Sequence, residues 1–185
     1  MGKKSLLIVI AIMLSVCLVG CSPKTNDDGI VIAQEGFQEL NPITTQTRAS
    51  WNIMYLYQSQ LVRFYNEKID YDAAKSFDRD KTNTVYTFHI REGLKWSDGS
   101  VLDANDFAYG IKVVLDPKSA SPKAAAFYDL KNAQKYNEGK VKFDQVGVKV
   151  IDDLTLQLTL EQPCVDFENT IASVHFYPVS EEFIK

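Results

Sequence analysis

Three kinds of side chain in this 185-residue chain have chemistry beyond scaffolding: thiols, imidazoles and paired carboxylates. A thiol becomes a nucleophile only where a base or a positive neighbour lowers its pKa. Cys164 has no such context beside Pro163, Val165 and Asp166, and reads as a half-buried structural thiol in a loop that enters a helix. His89 and His175 stand 86 residues apart without ligand-type neighbours, whereas metal sites gather several donors at short, repeated spacings. No metal site is expected. Asp27-Asp28, Asp152-Asp153 and Glu181-Glu182 fall in a polar tether, a turn and a helix start, where carboxylates are simply solvated. There is no G-x-S-x-G, H-E-x-x-H, C-x-x-C or Gly-rich phosphate loop. No catalytic residue and no cofactor are assigned, and the chain is not expected to be an enzyme.

Cys21 is different because of what precedes it. Lys3 and Lys4 form a positive start, Leu6 to Val16 form an apolar core, and Leu18-Val19-Gly20-Cys21 follows with a small residue before the thiol. The apolar run is shorter than the roughly 20 residues that cross a bilayer. It gives way to the flexible, polar 22–29. The Leu-x-Gly-Cys box resembles the bacterial lipobox, which implies cleavage before Cys21, diacylglycerol on its sulfur and acyl chains (palmitate among them) in the membrane. A plain secretory signal or an uncleaved anchor is the alternative. With Cys17 removed and Cys21 lipidated, Cys164 stands alone and no intramolecular disulfide is available.

The elements that must position any site are legible in the remaining 165 residues, which carry 18 basic and 24 acidic side chains, a net charge of −6. That balance disfavours a general grip on nucleic acid. Ile30 to Ala33 suits a buried strand ended by the Leu40-Asn41-Pro42 turn. Trp51, Met54, Tyr55, Gln58, Leu61 and Val62 recur at helical spacing, with Ser50 placed to cap. Tyr86, Phe88 and Ile90 alternate with polar residues, predicting a half-buried strand with His89 on its polar face. Trp96-Ser97-Asp98-Gly99 reads as an anchored turn, and Asp103 with Asp106 as the start of a helix closed by Asp116-Pro117. Ser121-Pro122 predicts a helix over 123–136 that ends by Gly139. Alternation at Val146, Val148, Val150 and again from Leu154 to Leu160 predicts a hairpin, and Phe167 with Ile171 a short helix.

The run Tyr86-Thr87-Phe88-His89-Ile90-Arg91-Glu92-Gly93-Leu94-Lys95-Trp96-Ser97-Asp98-Gly99 closely resembles the signature of the peptide-type, family 5 substrate-binding lipoproteins of bacterial ABC importers. The likeness continues through Asp103 to Tyr109, Asp116-Pro117, Ser121-Pro122 and Val146 to Leu156, and covers about Ile30 to the last residue. Ser-Pro before a long helix is most like the oligopeptide-binding branch; binders of nickel, haem and dipeptides share the pattern. The resemblance implies an α/β fold with mixed α+β sheets, a periplasmic-binding-protein-like type II clamshell closing on an extended peptide. It also implies ABC permease subunits as partners, a monomeric state, and a lipid-anchored place on the extracytoplasmic face of the bacterial cell membrane.

Carried over residue by residue, the resemblance puts Gln46, Thr47 and Arg48 along the cleft, pairing with the ligand backbone; the plain alternative is a loop before a helix. The family's aromatic after Ser-Pro is Lys123 here, so Phe127 or Tyr128 compensates or ligand preference differs. Ser59-Gln60 also departs from the family's Glu-Gly. The implied domain map is a signal peptide at 1–20, a tether at 21–29, the start of lobe I at 30–58, an accessory domain II at 59–178 and a truncated return to lobe I at 179–185. A chain ending there through a premature stop, a frameshift or incomplete sequence lacks the opposing wall, and is expected to bind peptide weakly or not at all. The competing class is a structural or interaction lipoprotein without a ligand.

Overall fold

A computed structural model of the chain describes residues 35–66, 68–172 and 176–184. The expected export segment, Cys21, the tether, the strand over 30–33 and His175 lie outside the described residues.

Helix α1 (Arg48–Tyr57) is capped by Thr47, not by the expected Ser50. Thr47 is extended (φ −90°, ψ 138°) and its Oγ1 accepts the Ser50 N–H at 3.3 Å, so Ser50 sits buried inside the first turn. The helix also stops short of Leu61 and Val62. Gln58 turns extended after donating its N–H to the Met54 carbonyl, and Leu61 and Val62 reach the core from the next segment instead. That segment is strand β1 (Val62–Tyr65), paired antiparallel with β2 (Lys68–Tyr71) as a two-stranded ribbon. Arg63 ties the ribbon to the end of α1. Its guanidinium meets Asp72 at 2.7 Å, donates to the carbonyls of Tyr55 and Gln58, and lies over the Tyr55 ring.

The second sheet has four antiparallel strands: β3 (Ala74–Arg79), β4 (Val85–Ile90), β5 (Val148–Asp152) and β6 (Thr155–Thr159), in spatial order β3-β4-β6-β5. The period-2 pattern places Tyr86, Phe88 and Ile90 of β4 beside Leu156 and Leu158 of β6 on one fully buried face. Burial of each such side chain contributes about 1.5–3 kcal/mol. Helix α2 (Ala104–Leu115) lays Phe107, Ile111, Val114 and Leu115 into the same core. Its start bears out the expected Asp103 cap and adds a capping box: Asp103 accepts the Asn105 N–H at 2.7 Å, and Asp106 accepts the Asp103 N–H at 3.0 Å. Asp106 also accepts from the Trp96 indole at 3.2 Å, while burial raises its carboxyl above the ordinary carboxylate range. The Trp96–Gly99 turn is thereby fastened to the helix it precedes. Gly110 lets the chain at Tyr177 cross α2 at close range, since a Cβ there would lie 2.5 Å from the Tyr177 carbonyl oxygen.

The long helix expected over 123–136 is absent. A 3-10 turn spans Ala124–Phe127, and only Ala133–Asn137 forms a short helix, α3. Between them Leu130 bridges to Leu160, the Lys131 N–H donates to Thr159, and the Lys131 carbonyl accepts from Gly147. Those main-chain groups serve the sheet and cannot also close helical turns. Asn132, at φ +57°, reverses the chain before α3. Helices α4 (Phe167–Ile171) and α5 (Glu181–Ile184) complete the described elements. Tyr86 links α4 to the sheet, packing its ring on Phe167 and donating its hydroxyl to the Cys164 carbonyl at 2.6 Å.

Candidate functional site

The segment before α1 is shaped by short-range bonds. Asn41 Oδ1 accepts the Ile43 N–H at 2.9 Å and the Asn41 carbonyl accepts the Thr45 N–H at 3.0 Å, which closes the Leu40-Asn41-Pro42 turn. Thr45 is fully buried and its carbonyl accepts from the Trp51 indole at 3.3 Å. The chain then runs through exposed Gln46 to the Thr47 cap, and Arg48 opens the helix. Among the described residues no hydrogen bond engages the Gln46 main chain. Of the three residues that the family resemblance puts along a cleft, Gln46 is exposed and has no main-chain partner among the described residues, Thr47 is committed to capping, and Arg48 is helical.

Lys123 comes to this same segment from 81 residues away. Only 4% exposed, it donates from Nζ to the Pro42 carbonyl at 2.7 Å, with the ammonium 5.9 Å from the Trp51 ring centre. Burial lowers its pKa to about 8, against the opposing pull of Glu39. Ser121 makes a second tie, its hydroxyl donating to the Ile43 carbonyl at 2.6 Å. Phe127 and Tyr128 point their functional groups elsewhere. Phe127 is a core side chain, 1% exposed and 4.6 Å from the Phe176 ring centre; the Tyr128 hydroxyl donates to Asn137 at 2.7 Å. The structure thus joins Lys123 to the Gln46 segment and leaves Phe127 and Tyr128 apart from it.

Ser121 and Trp51 were not singled out by sequence as parts of this site. A serine before proline announces a local cap, and nothing in it signals a carbonyl 78 residues back. Lys123 alone stands out by sequence, because it occupies the position where the family resemblance puts an aromatic residue after Ser-Pro. Elsewhere, His89 meets Asp78 at 2.8 Å on the exposed side of β4, and Cys164 is a half-buried free thiol. Among the described residues no three potential metal ligands converge, and no helix is long and apolar enough to cross a membrane.

The model of "Bacterial extracellular solute-binding proteins, family 5 Middle" matches residues 68–185. The chain belongs to this family. Within family 5, it is 39% identical over 112 residues to the dipeptide-binding protein DppE of Bacillus subtilis, an alignment covering 60% of this chain and 21% of the relative. It is 38% identical over 109 residues to the oligopeptide-binding protein OppA of the same organism, covering 59% and 20%. This family 5 chain therefore spans about a fifth of the length of these curated relatives. Among solved structures, the substrate-binding domain of the oligopeptide ABC transporter from Bacillus anthracis superposes with a TM-score of 0.75 at 33% identity, over 77% of this chain and 28% of that one. The murein tripeptide binding protein MppA of Escherichia coli gives 0.76 at 30% identity, over 81% and 30%. The helices and antiparallel sheets described above are those of periplasmic-binding-protein-like clamshell proteins, the fold class expected from sequence.

Proposed function

We propose that the chain acts in the extracytoplasmic solute-binding component of a peptide ABC importer, capturing oligopeptides for the membrane permease, and is not an enzyme. The observation that carries this reading is the family 5 match over residues 68–185, with relatives named as dipeptide- and oligopeptide-binding proteins. The local geometry agrees with it. Gln46 lies exposed, with no main-chain partner among the described residues, and pairing with peptide backbone supplies affinity that does not depend on peptide sequence. In this reading residues 30–58 begin lobe I, 59–178 form the accessory domain, 179–185 turn back to lobe I, and Cys21 carries the lipid that keeps the monomeric protein at the membrane surface.

The test is uptake. Cells lacking the gene should import isotope-labelled short peptides more slowly than the parent, and restoring the gene should restore import. Replacing Cys21 by Ser in the restored gene should release the protein from the membrane fraction. Unchanged import on deletion would refute the peptide reading, and membrane retention of the Cys21→Ser protein would refute the lipid anchor.

A further inference from the structure

Ile43 of the 41–48 segment packs against the core, but among the described residues few hydrogen bonds tie the segment to remote parts of the fold. Its turn is closed internally by Asn41, and its end is fixed by the Thr47 cap and the Trp51 indole, both belonging to the helix it leads into. Two side chains from a remote part of the sequence hold its carbonyls. Ser121 Oγ binds Ile43 at 2.6 Å and Lys123 Nζ binds Pro42 at 2.7 Å. Both are buried, at 7% and 4% exposure, and the two adjacent carbonyls they grip lie three or four residues ahead of Gln46.

We infer that Lys123 and Ser121 form a clasp that positions the Gln46 main chain, just ahead of helix α1, for its ligand, with Lys123 the principal member. The inference rests on the peptide reading above. A loop segment binds well only if it is held in shape beforehand, because ordering it on binding costs conformational entropy. The clasp removes that freedom at Pro42 and Ile43. A buried ammonium is a costly way to fasten a loop if stability alone matters. An apolar side chain of similar length would fill the same space without desolvating a charge, so Lys123 contributes direction: a charge-assisted bond to one chosen carbonyl. Among the described residues, Glu39 is the charged group that acts on it and the Trp51 ring the aromatic one.

The experiment compares wild type, Lys123→Met and Ser121→Ala, each introduced at the native gene. Amide exchange on the purified proteins should speed up about tenfold at residues 43–48 in Lys123→Met, with β4 and β6 protected as before. Fluorine NMR of fluorotryptophan-labelled protein separates Trp51 from Trp96. The Trp51 signal should titrate near pH 8 in wild type and lose that transition in Lys123→Met. Peptide import by Lys123→Met cells should fall about tenfold, with Ser121→Ala intermediate. Unchanged exchange at 43–48, loss of protection across β4 and β6, or a Trp51 titration that survives in Lys123→Met would overturn the clasp. Import by Lys123→Met cells equal to the parent's would overturn its positioning role alone. A parent whose import does not depend on the gene would overturn the peptide reading as well.

Discussion

Replacing Gly147 by Ala tests how the sheet is closed. Gly147 stands just before β5, where its N–H donates to the Lys131 carbonyl at 2.8 Å and its carbonyl accepts the Thr159 N–H at 2.7 Å. An added Cβ would lie 2.1 Å from the Thr159 carbonyl oxygen and 3.0 Å from Lys131 Cβ. Carbon and oxygen in favourable contact sit about 3.3–3.6 Å apart, so the two backbones must separate by about 1 Å. That displacement breaks or stretches both hydrogen bonds, each contributing about 0.5–1.5 kcal/mol. Overpacking of the flanking Val146, Val148 and Leu158 adds about another 1 kcal/mol. The expected destabilisation is about 2–4 kcal/mol, read as a lower urea midpoint by tryptophan fluorescence. Substitution with Ser should do the same, because the obstacle is the Cβ and not its chemistry. A midpoint shift equivalent to less than about 0.5 kcal/mol, the range of neutral surface changes, would show that Gly147 does not meet Thr159 of β6 and Lys131 as closely as described.

Phe127→Ala should destabilise by about 3–5 kcal/mol, as full burial against Phe176 implies, and a thermal melt would show it. A near-neutral result would return Phe127 to consideration as a ligand-facing side chain. Asp103→Ala should cost about 1–2 kcal/mol through loss of the α2 cap, measured by chemical denaturation, whereas Asp103→Asn should recover most of it. Lys123 should make stability depend on alkaline pH. Its pKa is about 8 in the fold against an ordinary 10.5, so between those values the unfolded chain holds the extra proton and stability rises with pH. The penalty is fully present below about pH 8; the difference corresponds to at most about 3 kcal/mol, and solvent near the ammonium lowers it to about 1–2. Lys123→Met should be at least as stable as wild type at neutral pH and show no such rise, in equilibrium denaturation run from pH 7 to 11.

The parts of the fold legible in sequence are those whose signal is local. Alternation marked β4, β5 and β6, and the Asp103-to-Asp106 spacing marked the start of α2, because each pattern reflects one buried face or one helix end. Ribbon β1–β2 shows no such alternation, with Phe64 and Tyr65 both exposed, so nothing marked it as a strand pair. The helix expected over 123–136 failed for the opposite reason. Its residues have helical propensity, yet Leu130 and Lys131 are claimed by Leu160, Thr159 and Gly147, partners that lie well ahead in the chain. The site divides in the same way. The course of Gln46 to Arg48 came from a family likeness, whereas the Lys123 and Ser121 ties join a side chain to a carbonyl, and a carbonyl has no residue-type signature.

Both outer strands of the four-stranded sheet slip register, β3 between Ala74 and Ser76 and β5 between Val150 and Asp152, and both present charged side chains such as Lys75 and Lys149 to solvent. For most proteins that arrangement guards against self-association. Under the peptide-binding role proposed above it would have a sharper meaning. A straight, unpaired edge would accept a passing peptide as a fifth strand and hold it away from the segment proposed to receive it. In the proposed role, irregular edges would deny cargo a decoy and leave it to the segment before α1.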